Sequence, residues 1–255
     1  MFIDENKCIG CGNCIYYCPT GAIYIEKSNN KKIAKINQDE CVECGLCERL
    51  LNIKFSDKLL NREICPTQAF YNVELKYPRI IRQIFSDPTK VKKETGVFGR
   101  GTEEVKTIDV TNRIDKNEIA MNVELGRPGI GTRLSEINKM TMALAKEGVK
   151  FEPNNPLTLL MKDINTGELK EEILNEKVLS AIIEFKIKPE NINKVLNTIF
   201  NTKVNTVFVV GVFSVVSTNG EIFHEKFIKN AGYEVSVNGK TNIGLGKKIK
   251  KEVLQ

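Results

Sequence analysis

The chain has 255 residues, 41% hydrophobic and 27% charged, with 38 Lys/Arg against 32 Asp/Glu and a formal net charge of +6. That is the composition of an ordinary soluble globular protein. The longest apolar run, Val207 to Val216, contains Gly211 and Ser214 and is far too short for a bilayer, so no membrane span is expected. Nucleic acid is not expected as a partner either, because no recognised motif or aromatic–basic interleaving is present.

Charge is unevenly shared. Residues 1–75 hold nine basic and ten acidic side chains, so the positive surplus lies in residues 76–255. A basic body admits an acidic partner or an anionic substrate; a solvated Lys/Glu surface explains it equally simply.

All eight cysteines fall into two runs. The first is Cys8-Ile9-Gly10-Cys11-Gly12-Asn13-Cys14-Ile15-Tyr16-Tyr17-Cys18-Pro19. This is the Cys-x2-Cys-x2-Cys-x3-Cys-Pro spacing of a [4Fe–4S] site whose fourth cysteine ligates the other cluster. The second run is Cys41-Val42-Glu43-Cys44-Gly45-Leu46-Cys47, completed after a gap by Cys65-Pro66. A tight loop with cysteines three apart wraps three corners of a cubane and does not easily bring its own fourth cysteine to the last corner. The predicted ligand sets are therefore crossed. Cys8, Cys11, Cys14 and Cys65 hold one cluster; Cys41, Cys44, Cys47 and Cys18 hold the other. Gly10, Gly12 and Gly45 are expected where the backbone passes close to the cluster sulfurs, and Pro19 and Pro66 where the chain leaves a fourth ligand. A disulfide framework suits small secreted domains, whereas this longer chain opens Met-Phe-Ile-Asp-Glu, unlike a signal peptide. Zinc needs only four ligands, fewer than these runs supply. Reduced thiolates imply a cytoplasmic, anaerobic setting.

Residues 1–72 resemble a bacterial-type two-[4Fe–4S] ferredoxin. The internal echo of Cys18-Pro19-Thr20-Gly21-Ala22-Ile23 in Cys65-Pro66-Thr67-Gln68-Ala69-Phe70 carries the likeness. The departure is the insert 48–64 between Cys47 and Cys65, read as a helix over the second half or a cover for a docking surface. Ala22 to Glu26 should be a strand, followed by a polar turn at Ser28 to Lys32. Ile9, Ile15, Ile33, Ile36, Val42, Leu46 and Ile64 are expected to shield the clusters, and Tyr16, Tyr17 and Tyr24 to serve as packing residues.

Residues 76–115 read as a connector with little periodicity. Gly96, Gly99, Arg100, Gly101 and Thr102 fall there; the glycine spacing fails the dinucleotide fingerprint because Glu104 stands in the third position. From Glu118 the pattern is regular. Ile119, Met121, Val123 and Leu125 alternate as a strand. A loop from Gly126 to Gly131 leads to a helix over Arg133–Lys146, capped by Thr132. A strand is expected through Leu157, Leu159 and Met161, a turn at Asn165-Thr166-Gly167, and another strand at Ala181–Ile187. A helix opened by Pro189 presents Ile192, Val195, Leu196, Ile199 and Phe200. Thr206–Phe213 is expected as a central strand, and the apolar run around it as buried. The order is βαββαβ, an α+β split-βαβ (ferredoxin-like) domain behind the cluster module. A helix near Gly220–Asn230, a hairpin at Asn238-Gly239 and a basic end close the chain, with His224 at a surface or edge. The expected organisation is 1–75 cluster module, 76–115 connector, 116–215 βαββαβ domain and 216–255 extension.

Arg127, Gly129, Gly131 and Thr132, with Arg100, form a candidate anion site at a helix N-terminus. The Gly-Arg-Gly-Thr-Glu-Glu stretch from Gly99 and the Gly-Arg-Pro-Gly stretch from Gly126 resemble the ferredoxin-bearing part of 6-hydroxynicotinate reductase-type proteins. That resemblance implies delivery of low-potential electrons to a reductase. With no nucleophile–base pair or paired carboxylates for stand-alone catalysis, the expected function is an electron-transfer subunit with two [4Fe–4S] clusters and a flavin- or metal-dependent oxidoreductase partner. The alternative is a redox-linked subunit whose body senses or binds a small anionic ligand.

Overall fold

The computed structural model describes residues 1–28, 31–51, 65–90, 114–115, 117–126, 131–214 and 223–234. The cysteine-bearing part is built on two small antiparallel ribbons. Strand β1 (Phe2–Ile3) pairs with β4 (Phe70–Tyr71), closing the two ends of the module on each other. Strands β2 (Ile23–Ser28) and β3 (Lys31–Ile36) form the second ribbon, with Ile23 opposite Ile36 and Ile25 opposite Ala34. Between these lie a 3-10 turn at Asn13–Tyr17 and the short helix α1 (Leu46–Leu51). The inward faces supply a small core of Met1, Ile23, Ala34, Ala69 and Phe70 around buried Cys8 and Cys14. Tyr16 is not a packing residue: it is 90% exposed, and Tyr17 and Tyr24 are also exposed. The 3-10 turn points its two tyrosines away from the thin core because the adjacent Cys14 occupies the inward position.

Helix α2 (Ile80–Ser86) follows, in a stretch whose periodicity did not announce it. One turn buries Ile81 and Phe85 in the core of the body, so this part of the expected connector belongs to that core. Residues 91–113, with Arg100 and its glycines, lie outside the described residues, as do most of the insert after Cys47, the loop residues Arg127 to Ile130, and the hairpin and basic end.

The body is one four-stranded antiparallel sheet with two helices packed on it. Strand β5 (Ile119–Leu125) leads through the two-residue β6 (Thr132–Arg133) into α3 (Leu134–Lys146). Strand β7 (Lys150–Phe151) follows, then two small pairings: β8 (Met161–Asp163) with β9 (Glu168–Leu169), and β10 (Lys177–Val178) with β6. Strand β11 (Ala181–Ile187), helix α4 (Ile192–Asn201) and strand β12 (Phe208–Phe213) complete the sheet, in the order β12-β5-β11-β7. The register Val123↔Ile183 and Met121↔Phe185 puts alternate apolar side chains on one face. Leu134, Ile137, Met140 and Leu144 of α3 and Ile192, Val195, Leu196 and Ile199 of α4 cover that face. Helix α5 (Phe223–Asn230) adds Ile228.

Four expectations in the body are corrected. The second sheet strand is β7; Thr158–Leu160 is a 3-10 turn rather than a strand, and Leu159 is exposed. The strand expected over Thr206–Phe213 is β12, an edge strand and not a central one, with Val209 48% exposed. Phe200 is also exposed, its ring 5.2 Å from Tyr233 and 6.0 Å from Phe208. Thr132 does not cap α3: Arg133 holds the cap position with no side-chain bond, because Thr132 is drawn into the β6–β10 pairing. His224 is half-buried, with Nδ1 3.0 Å from Ser214 Oγ at the end of the edge strand. Among the described residues no helix is long and apolar enough to cross a membrane.

Candidate metal centre

The two cysteine loops begin with the same local device. Each opens on a residue whose side-chain oxygen accepts the N–H two residues on: Asn6 N to Asp4 Oδ1, 2.9 Å, and Asp39 N to Asn37 Oδ1, 3.0 Å. Each closes a turn onto the first cysteine, with Cys8 N to Asp4 O at 2.9 Å and Cys41 N to Asn37 O at 3.0 Å. The fourth cysteines are matched too. Ala22 N donates to Cys18 Sγ and Ala69 N to Cys65 Sγ, both at 3.2 Å, and Thr20 and Thr67 hydroxyls lie 3.7 Å from the same sulfurs. Cys8 Sγ accepts from Gly10 N at 3.4 Å and Ala34 N at 3.3 Å.

The sulfurs ring two cavities. One, about 310 Å³ of open space, is lined by Cys8, Cys11, Cys14 and Cys65 together with Ala34 and Phe70. The other, about 360 Å³, is lined by Cys18, Cys41, Cys44 and Cys47 together with Val42 and Ile36. Thus Cys18 leaves its own run for the second cavity, and Cys65 joins the first. Cys11 is exposed at the first cavity, beside exposed Ile9. Ile33, Ile15 and Leu46 pack around the cysteines, and Ile64 lies outside the described residues.

Beyond burial, the two most perturbed thiols feel mainly the sulfurs of their own cavity, with a last contribution to Cys47 from Cys14 of the other. Burial, then the nearby Cys11 and more weakly Cys65 and Cys8, pushes the Cys14 thiol up to about 11. Burial, then Cys44, Cys18 and Cys41, pushes Cys47 up to about 12. Burial also raises Cys41 and Cys44. Four thiolates facing one cavity repel one another, so the deprotonated set needs a positively charged core to hold it. Among the described residues, no three His, Cys, Asp or Glu side chains converge as a single metal ion would require. A polynuclear core, with separate corners for separate sulfurs, fits the cavities and the donor set.

Two of the glycines also meet a second contact that the spacing does not show. Gly10 has φ +64°, and a Cβ there would lie 2.2 Å from Lys32 O in the neighbouring ribbon. At Gly45, φ +69°, a Cβ would meet Asp87 Oδ2 at 2.7 Å and Arg49 Nη1 at 2.8 Å. Both loops are thus tight against protein on one side, while Gly10 N reaches Cys8 Sγ at 3.4 Å and Gly12 and Gly45 line the first and second cavities beside the sulfurs.

Among the described residues, the second loop has charged partners that the first lacks. Among the described residues there are four arginines, and all four reach residues 38–44. Arg49 Nη2 donates to Cys44 O at 2.7 Å while its Nη1 pairs with Asp87 at 2.7 Å. Arg79 takes Glu43 at 2.6 Å and Gln38 O at 2.9 Å. Arg82 Nη1 donates to Gln38 O and Asp39 O at 3.0 Å and to Cys41 O at 2.8 Å, and its Nε pairs with Glu176. Arg133 pairs with Asp39 at 2.6 Å, and Lys177 with Glu40. This set was invisible in the sequence because Arg79 and Arg82 meet the loop only across the fold; the one signal was their spacing of three, which places them on one side of a helical turn.

At the candidate anion site, Arg100, Arg127 and Gly129 lie outside the described residues. Gly131 and Thr132 sit beside strand β10, where a Cβ on Gly131 would come 2.7 Å from Val178 O. The leading N–H groups of α3 are already used: Leu134 N donates to Glu176 O at 3.0 Å and Ser135 N to Leu174 O at 2.9 Å.

Residues 7–50 match the 4Fe-4S dicluster domain family. Among curated relatives, the pyruvate synthase subunit PorD of Methanothermobacter marburgensis is 40% identical over 53 residues, 21% of this chain and 57% of that protein. A probable iron-sulfur subunit from the Frd operon of Proteus vulgaris is 25% identical over 108 residues, 40% of this chain and 61% of that one. An uncharacterized ferredoxin of Methanocaldococcus jannaschii is 36% identical over 47 residues, 18% of this chain and 61% of that one. The chain thus spans about three fifths of the length of these relatives. No solved structure matches the chain. The cysteine pattern, the family match and the ferredoxin relatives agree: residues 7–50 are a 4Fe-4S dicluster segment of the ferredoxin type.

Proposed function

We propose that this chain is an electron-transfer subunit carrying two [4Fe–4S] clusters and passing low-potential electrons to an oxidoreductase partner. The observation that carries the reading is the sorting of eight thiols into two cavities of four, each completed by a cysteine from the other run. A bound cluster supplies storage for one electron at a time. The chain's own residues do the rest. Cys8, Cys11, Cys14 and Cys65 would hold one cluster, and Cys41, Cys44, Cys47 and Cys18 the other. Buried Val42 and Ala34 keep water from the sulfurs, and the amides of Ala22, Ala34 and Ala69 offset their charge. Exposed Cys11 gives the first cavity a face on which an electron can enter or leave.

The partner class rests on relatives named as subunits of pyruvate synthase and of an Frd operon. The sheet order β12-β5-β11-β7, with α3 and α4 as the linking helices, supports reading the body as a split-βαβ domain, a scaffold that docks the cluster module. The test is to reduce the anaerobically purified chain and mix it with the oxidoreductase that accompanies it in its native cells. Cluster oxidation matched by substrate turnover in that enzyme is the expected result. Reduced clusters that stay reduced against every accompanying oxidoreductase would refute the electron-transfer reading.

A further inference from the structure

The internal repeat gives the two turns entering the cysteine loops the same backbone, but not the same surroundings. In the first, Glu5, Asn6 and Lys7 are exposed, and the side-chain donor to a turn carbonyl is Lys31, to Glu5 O at 2.9 Å. In the second, Arg82 is 5% exposed and one of its nitrogens is shared among three carbonyls, those of Gln38, Asp39 and Cys41. A guanidinium is charged at every working pH and has a fixed fork of donors. Buried, it is stabilised here by those carbonyl dipoles and by Glu176 on its Nε side. Helix α2 holds its base, because Ile81 and Phe85 anchor that helix in the body's core.

We propose that Arg82 is a positioning residue for the second cysteine set, clamping the turn that presents Cys41 and coupling the reduction potential of that site to Glu176 of the body. The inference rests on the reading that each cysteine set holds a cluster. The Arg82 fork touches the carbonyl of a ligand residue directly, while Glu176 stands behind it. Positive charge beside a cluster stabilises the added electron and raises the potential; negative charge lowers it. The two partners therefore act with opposite sign on one cluster, and the other cluster, ringed by Cys8, Cys11, Cys14 and Cys65, is left alone.

The experiment is a potentiometric EPR titration of the full chain, with iron content, for wild type, Arg82→Gln, Arg82→Lys and Glu176→Gln. The expected result is unchanged iron with one of the two midpoint potentials lowered in Arg82→Gln and the same one raised in Glu176→Gln. Arg82→Lys, which keeps the charge and loses the fork, should fall between wild type and Arg82→Gln. If Arg82→Gln loses iron, Glu176→Gln decides alone, since it keeps the clamp. Full iron with unmoved potentials, or shifts of the same sign in both variants, overturns this inference and leaves the cluster reading standing. Wild-type protein without iron would overturn the cluster reading itself, and this inference with it.

Discussion

The two halves of the cysteine module are near copies that face different worlds. Asp4–Cys8 and Asn37–Cys41 fold as the same turn, and Cys18 and Cys65 accept the same amide bond at the same distance. Yet the first turn is open to solvent, whereas Arg79, Arg82, Arg133 and Lys177 from outside the repeat close on the second. An internal repeat specifies local geometry; what makes one copy differ from the other is the chain that follows it. Here that chain supplies a body with its own core, and among the described residues it is the second loop that the body clamps.

The largest expected effect breaks the crossed arrangement. Cys18→Ser should abolish the second cluster although Cys18 belongs to the first run, and Cys65→Ser should abolish the first. Each variant should retain about four of about eight irons per chain, with complementary EPR spectra. If Cys18→Ser instead removed the signal lost in Cys8→Ser, each run would fill its own site and the comparison would lose its basis.

Next in size are the glycines. Gly10→Ala sets a Cβ 2.2 Å from a backbone oxygen at positive φ, so it should cost on the order of 1–3 kcal/mol and loosen the first cysteine loop. Gly12→Ala, with φ +78° but no neighbour nearer than 3.9 Å, should cost about 1 kcal/mol from backbone strain alone. Chemical denaturation of both variants checks the ranking, and equal losses would mean that the contact with Lys32 is relaxed at little cost.

The rim of the interface should matter less. Arg133→Gln removes a pair with Asp39 whose carboxylate is mostly exposed, so its effect on stability should be under about 1 kcal/mol and should shrink with salt. Smallest of all, Tyr16→Ser alters a side chain that touches little and should change stability by no more than about 0.5 kcal/mol. It should still slow electron exchange with the partner, because Tyr16 is an exposed aromatic on the 3-10 turn that carries Cys14. An unchanged exchange rate would move the docking face elsewhere.

The sequence was legible where spacing is itself the chemistry or where a period is long. Eight cysteines with two Cys-Pro ends announce their pattern without a fold. Strands β5 and β11 carry large apolar side chains at alternate positions, and helices α3 and α4 bury one stripe each, so alternation or helical spacing declares them. It was illegible where position in the sheet decides. An apolar run does not say whether its strand is central or at the edge, and β12 lies at the edge with Val209 half in water. Strand β7 is two residues long and has no period to read. Thr132 has a good capping chemistry but is held by a strand pairing that only the tertiary fold creates. The arginine clamp was hidden for the same reason: its partners are carbonyl oxygens, which carry no mark in the sequence.

The measurement that tests the account most directly is anaerobic iron and sulfide analysis of the full chain, with EPR of the dithionite-reduced protein. The account predicts about eight irons and about eight sulfides per chain, and a spectrum in which two reduced clusters interact. Zinc in place of iron, or a single isolated cluster in fully loaded protein, would contradict it.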